Sequence, residues 1–187
     1  RADDYVNSFD VSAHIVSSGA AIVAERATYS AQAGRAGATA SPAIPAASNT
    51  HFLAEGATAG PFETWVLVAN PSQSSGASVT LEFMSDMGVV ASVSKPVPAG
   101  HRVTVRADDY VDSYNVSTKV TSTGAPVIAE RAMYKDTFGG LGAASGEPTG
   151  APAPSWLAVE GASEGGFETW VLVANPDPTA AATVKVT

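Results

Sequence analysis

The chain has 187 residues, 45% of them apolar and only 15% charged, with no cysteine and a formal net charge of −8. That length fits one or two domains with a real hydrophobic core. The acidic balance and ten scattered Lys and Arg residues argue against a nucleic-acid partner, and the missing thiols exclude disulfides, thiolate zinc sites and cysteine nucleophiles.

No run of about 18 apolar residues is present, so no membrane-spanning helix is expected. The sequence starts at RADDYV without an initiator Met or a signal peptide, and is expected to be a mature or processed fragment. Low charge and β-type patterning suit an extracellular or cell-surface protein.

An internal repeat organises everything else. RADDYV stands at residues 1–6 and 106–111, AERA at 24–27 and 129–132, and FETWVLVANP at 62–71 and 167–176. Residues 1–82 match 106–187 at a constant offset of 105 with no gap, and 37 of the 82 pairs are identical. Residues 83–105 have no second copy.

The expected layout follows. Residues 1–29 are the C-terminal part of a unit, 51–134 a complete unit, and 156–187 the N-terminal part of another. The stretches 30–50 and 135–155, rich in Ala, Gly, Pro and Ser, are expected to be linkers.

Within the complete unit, period-2 alternation dominates. Along FETWVLVANP, Glu63, Trp65, Leu67 and Ala69 face one way, while Phe62, Thr64, Val66 and Val68 face the other. Both faces are apolar from Thr64 to Ala69, so this strand is expected to be central and covered on both sides. SVTLEF points Val79, Leu81 and Phe83 inward. VVASVS and HRVTVR continue the pattern with Val89, Ala91 and Val93 and then His101, Val103 and Val105, and NVSTKV sets Val116, Thr118 and Val120 on one side. About seven strands at this spacing predict an all-β fold of immunoglobulin-like β-sandwich repeats.

The combination WLAVEGASEGGFETWVLVANP, VPAGHRVTV and PVIAERAMY resembles tandem β-sandwich repeats of secreted and cell-surface proteins of actinobacteria and related bacteria. The resemblance covers essentially the whole chain, including a Gly-rich stretch after the ERAMY strand. It implies an extracellular, non-enzymatic repeat of undefined biochemical role. The chain departs from it at His51-Phe52-Leu53, where the second copy has Trp156-Leu157-Ala158, and at Thr28, which replaces Met133.

Candidate sites are few. His14 matches Lys119, His51 matches Trp156, and His101 has no copy, so the histidines are expected to be packed or solvated. DDYVNSFD (Asp3, Asp4, Asn7, Asp10) and DDYVDSYN offer hard oxygen donors, with Asp108, Asp109 and Asp112 as calcium candidates; a solvated turn is the expected alternative. Glu25, Arg26, Glu130 and Arg131 lie mid-strand, so one of each pair faces inward and needs an ionic partner. Glu55, Glu160, Asp4 and Asp109 are the candidates. Asn115 heads an Asn-Val-Ser sequon, replaced by Asp10 in the first copy. No nucleotide-binding, serine-hydrolase or metalloprotease motif is present, no carboxylate pair suggests a glycosidase cleft, and no cofactor other than calcium is indicated.

These features favour a structural subunit of an extracellular filament or surface stalk; either the sequence is a window of a longer polymer, or subunits self-associate head to tail with half-units completed by neighbouring subunits. Trp65, Val66 and Val68, with their copies Trp170, Val171 and Val173, are the expected assembly residues. A surface adhesin or carbohydrate-binding module is the alternative, with Trp65, Trp156, Trp170, Tyr110 and Tyr134 stacking on cell-wall or surface glycan.

Overall fold

A computed structural model describes residues 1–31, 37–137, 140–146, 148–159, 161–166 and 168–186. Its strands are β1 (Glu25–Ser30), β2 (Gly37–Pro42), β3 (Thr50–Leu53), β4 (Phe62–Ala69), β5 (Ala77–Ser85), β6 (Gly88–Val97), β7 (Arg102–Arg106), β8 (Ser117–Gly124), β9 (Ile128–Thr137) and β10 (Gly140–Gly146). All pair antiparallel. Among the described residues there is no α-helix, hence none long and apolar enough to cross a membrane.

Two four-stranded sheets, ordered β10-β9-β4-β7 and β3-β8-β5-β6, enclose one core. The first contributes Val66, Val68, Val105 and Ala129, the second Leu53, Val79, Leu81, Phe83, Val97 and Val120. This β-sandwich follows from alternation: in SVTLEF the residues expected inward are fully buried, as are Val116, Thr118 and Val120 to within 2%. Phe83 stacks on Tyr110 with ring centroids 5.7 Å apart, carrying the core towards the 3-10 turn Ala107–Asp109. Val89, expected inward, is exposed; a register shift at Phe83/Met84 opens this end of the β5–β6 hairpin.

Both stretches expected to be linkers carry strand. β2 lies inside 30–50; the end of β9 and all of β10 lie inside 135–155. Their Ala- and Gly-rich sequences have little strand propensity of their own. They become strands by pairing with β1 and β9, which donate the patterned side of each hairpin. The two hairpins share one register at the offset of 105: Arg26 opposes Ser41, and Arg131 opposes Gly146. β2 also lies alongside β10.

Candidate functional site

FETWVLVA forms β4 with the facing expected of it. Thr64, Val66 and Val68 are at most 1% exposed in the core, while Trp65, Leu67 and Ala69 are half-buried on the outer face. Part of that outer sheet face carries the N-terminal segment: Arg102 of β7 donates to the Val11 carbonyl at 2.8 Å and pairs with Asp10 at 3.3 Å. Thr104 donates to the same carboxylate at 2.8 Å. Val66 and Val68 are therefore interior residues of their own sandwich rather than contacts for a neighbour, which corrects the assembly role expected of them.

Their copies sit in the opposite environment. Val171, Val173, Val184 and Val186 are 55–68% exposed, whereas Val66, Val68, Val79 and Leu81 at the matching positions are all 0% exposed. Near the other terminus Val11, Ile15 and Ile22 are 38–56% exposed, against at most 2% for Val116, Val120 and Val127. Trp156 and Trp170 are exposed as well.

Local geometry nevertheless recurs in these exposed segments. Thr64 Oγ1 accepts from Ala57 N at 3.1 Å and donates to the Ala57 carbonyl at 2.6 Å. Thr169 and Ala162 repeat both bonds at 2.7 Å. Asn70 Nδ2 donates to the Ser75 carbonyl, and Asn175 Nδ2 to that of Ala180. Ser72 Oγ accepts from the Ser74 and Ser75 amides, and Asp177 Oδ1 takes the matching place under Thr179 and Ala180. Those bonds, the Thr179 amide foremost, hold the Asp177 carboxyl below the usual aspartate range. Turn chemistry is encoded locally and survives where the sheet does not form.

The expected ionic partners are partly realised. Arg131, 5% exposed, pairs with Glu55, one of the carboxylates foreseen for it. Arg26 pairs instead with Glu130 at 3.2 Å and donates to Ser41 Oγ at 2.9 Å. Glu130 was overlooked as a partner because only the β2–β10 approach brings it there. Glu25 is exposed, and Glu160 lies outside the described residues.

Asp108 accepts from Thr64 N at 3.0 Å and faces Arg106 at 3.5 Å, so its carboxylate supports β4. Arg106 also pairs with Glu63 at 3.3 Å and lies over the Trp65 ring. Asp109, Asp112 and Asn115 are exposed, and among the described residues no three acidic, His or Cys side chains gather into a metal site. His51 is 3% exposed and its Nε2–H donates to the Val127 carbonyl at 2.8 Å, a packing role. His101 and His14 are exposed.

No family model matches the chain, and no curated protein does. A solved structure titled "Crystal Structure of Thermotoga maritima 1070" is similar in fold, with a TM-score of 0.50 and 10% identity. The match covers 55% of this chain and 94% of that one, the extent of a single sandwich.

Proposed function

We propose that the chain is a structural segment of an extracellular filament or cell-surface stalk. It is built from tandem immunoglobulin-like sandwiches offset by 105 residues, with half-units completed by neighbouring copies. The observation that carries this is the contrast in burial between matching positions: the same valines are core in one copy and solvent-facing in the other. Large exposed apolar surface of this kind calls for a partner.

The immunoglobulin-like assignment is supported by β4–β7 pairing in one sheet and β5–β8 in the other, as the second and fifth and the third and sixth strands pair in that fold. β9 beside β4, rather than beside β8, is a departure from it. The role is non-enzymatic on this reading, and the exposed Asn115 leaves room for a glycan.

Electron microscopy and sedimentation of the purified chain test the proposal. Assemblies are expected, and Val173→Asp is expected to abolish them without changing the melting of the complete unit, whereas Val68→Asp unfolds it. A monodisperse, cooperatively melting monomer would overturn the reading. Exposure of Trp156 and Trp170 favours the adhesin as a second reading; glycan-array binding lost on Trp156→Ala would decide for it.

A further inference from the structure

The two outward faces of the sandwich differ in what the repeat keeps. On β4, β7 and β9 the outward positions with a copy 105 residues away are 63, 65, 67, 69, 106, 128, 130, 132 and 134, and eight of these nine are identical. Glu63, Trp65, Arg106 and Tyr134 recur as Glu168, Trp170, Arg1 and Tyr29; the exception is Ile128, matched by Val23. On β3, β5 and β8 the outward positions are 50, 52, 78, 80, 82, 117, 119, 121 and 123, and only Ser117 recurs, as Ser12. Even the core is freer than the first face: Leu53 becomes Ala158, Leu81 becomes Val186 and Val120 becomes Ile15.

Place in the sheet does not explain this, since each face is built on two central strands, β9 and β4 in one and β8 and β5 in the other. Chemistry does. The varying face is rich in hydroxyls, with Thr80 bonded to Ser94 at 2.9 Å and Thr121 opposite Thr80, and water satisfies such a surface. The kept face sets Trp65, Leu67 and Ala132 half-buried between arginines on β7 and Glu130 on β9. An apolar strip framed by charge in this way calls for a partner.

A partner is already seated there. Register places Leu67 between Thr104 and Glu130, and the segment preceding the complete unit reaches both sides of it. Thr104 donates to Asp10 at 2.8 Å, Arg102 pairs with the same carboxylate and holds the Val11 carbonyl, and Glu130 takes Arg26 at 3.2 Å. An acid meets the basic strand and a base the acidic one. Arg131, the copy of Arg26, is committed to Glu55 inside its own unit. The hold common to every repeat is therefore the turn residue, Asp10 or its exposed copy Asn115, whose amide oxygen can accept the same bonds.

We infer that this face seats the preceding repeat of the same chain, through the turn ahead of that repeat's β8 counterpart, and forms a fixed joint between consecutive repeats. This deepens the proposed stalk and rests on its tandem reading. A joint used at every step requires the same face on every copy, whereas the opposite face meets water and is free to change.

The test follows amide exchange of β1–β2 in the full chain. A two-stranded hairpin is marginal alone, so its ladder is protected while the segment is docked. Asp10→Ala, which lies outside the complete unit, is expected to speed that exchange about tenfold with an unchanged urea midpoint, and Asp10→Asn less. Arg102→Asp should act like Asp10→Ala, and the swap Asp10→Arg/Arg102→Asp should restore protection. Protection should also be independent of protein concentration. Equal exchange in the parent and Asp10→Ala would overturn the joint, as would protection lost on dilution, which makes the partner another chain. Glycan binding lost on Trp65→Ala, with exchange indifferent to Asp10, would make the face a sugar site instead. Filaments from a chain whose exchange ignores Asp10 would sink this inference and leave the filament reading standing. The exchange effect in a chain that never assembles would do the reverse.

Discussion

Replacing Glu55 by Ala removes the carboxylate paired with the Arg131 guanidinium, which is 5% exposed and packed over Gly146, where an added Cβ would lie 2.6 Å from Nη2. Breaking a fully buried pair by deleting one member costs about 3–5 kcal/mol, because the survivor stays desolvated. The Glu55 side chain is 34% accessible, so water entering its place offsets part of this and the expected loss is about 2 kcal/mol. Arg131→Met should cost less, about 1 kcal/mol, since it leaves behind a carboxylate that already reaches solvent. The double variant Glu55→Leu/Arg131→Met should lie within about 1 kcal/mol of the parent. Urea unfolding followed by Trp fluorescence measures all three, read as midpoint shifts at constant slope. The reasoning fails if Arg131→Met proves more damaging than Glu55→Ala, or if the two single losses simply add in the double variant.

Thr64→Val leaves the Ala57 amide and carbonyl without their hydroxyl partner in the core, at a cost of about 1–3 kcal/mol by urea unfolding. Thr169→Val, the same change on the open segment, should stay within about 0.5 kcal/mol in the unassembled chain. At Gly60, where φ is +63° and an added Cβ would lie 2.5 Å from the Tyr114 hydroxyl, Gly60→Ala should lower the melting temperature by several degrees, about 1–2 kcal/mol. For Asp177 the lowered folded-state pKa means that its contribution is present above the ordinary aspartate range and lost as pH falls below it. Carboxyl NMR titration of Asp177 should give a midpoint below the ordinary aspartate value, and Asp177→Ala should speed exchange of the Thr179 and Ala180 amides; an ordinary midpoint refutes the turn geometry.

Alternation made the interior legible: Val79, Leu81, Phe83, Val116 and Val120 could be placed because one polar–apolar period can satisfy one buried face. Asp108 as the support of β4, and His51 as a packing residue, needed the fold. β2 and β10 were illegible for a different reason. A run such as GATASP or GLGAASG has no amphipathic period, and the reason for a small residue there lies across the hairpin. Ser41 holds the Arg26 guanidinium by a hydrogen bond, and Gly146 makes space for that of Arg131. The two faces of β4 were foreseen, yet which of them packs inside the sandwich was not, since both are apolar and sequence alone does not rank them.

The separation of β3, β4 and β5 from one another has a consequence for synthesis. As the chain leaves the ribosome, β3 must wait for a partner 71 residues later, Thr50 for Thr121, and β4 waits 33 residues between Ala69 and Arg102. Only β5–β6 and β9–β10 can zip as they emerge, so the unit closes late and slowly. The identical FETWVLVANP strand at residues 167–176 emerges only after β10, so β4 has first claim on the slot between β7 and β9. Order of synthesis, as well as final stability, then keeps the two copies of the strand from exchanging places.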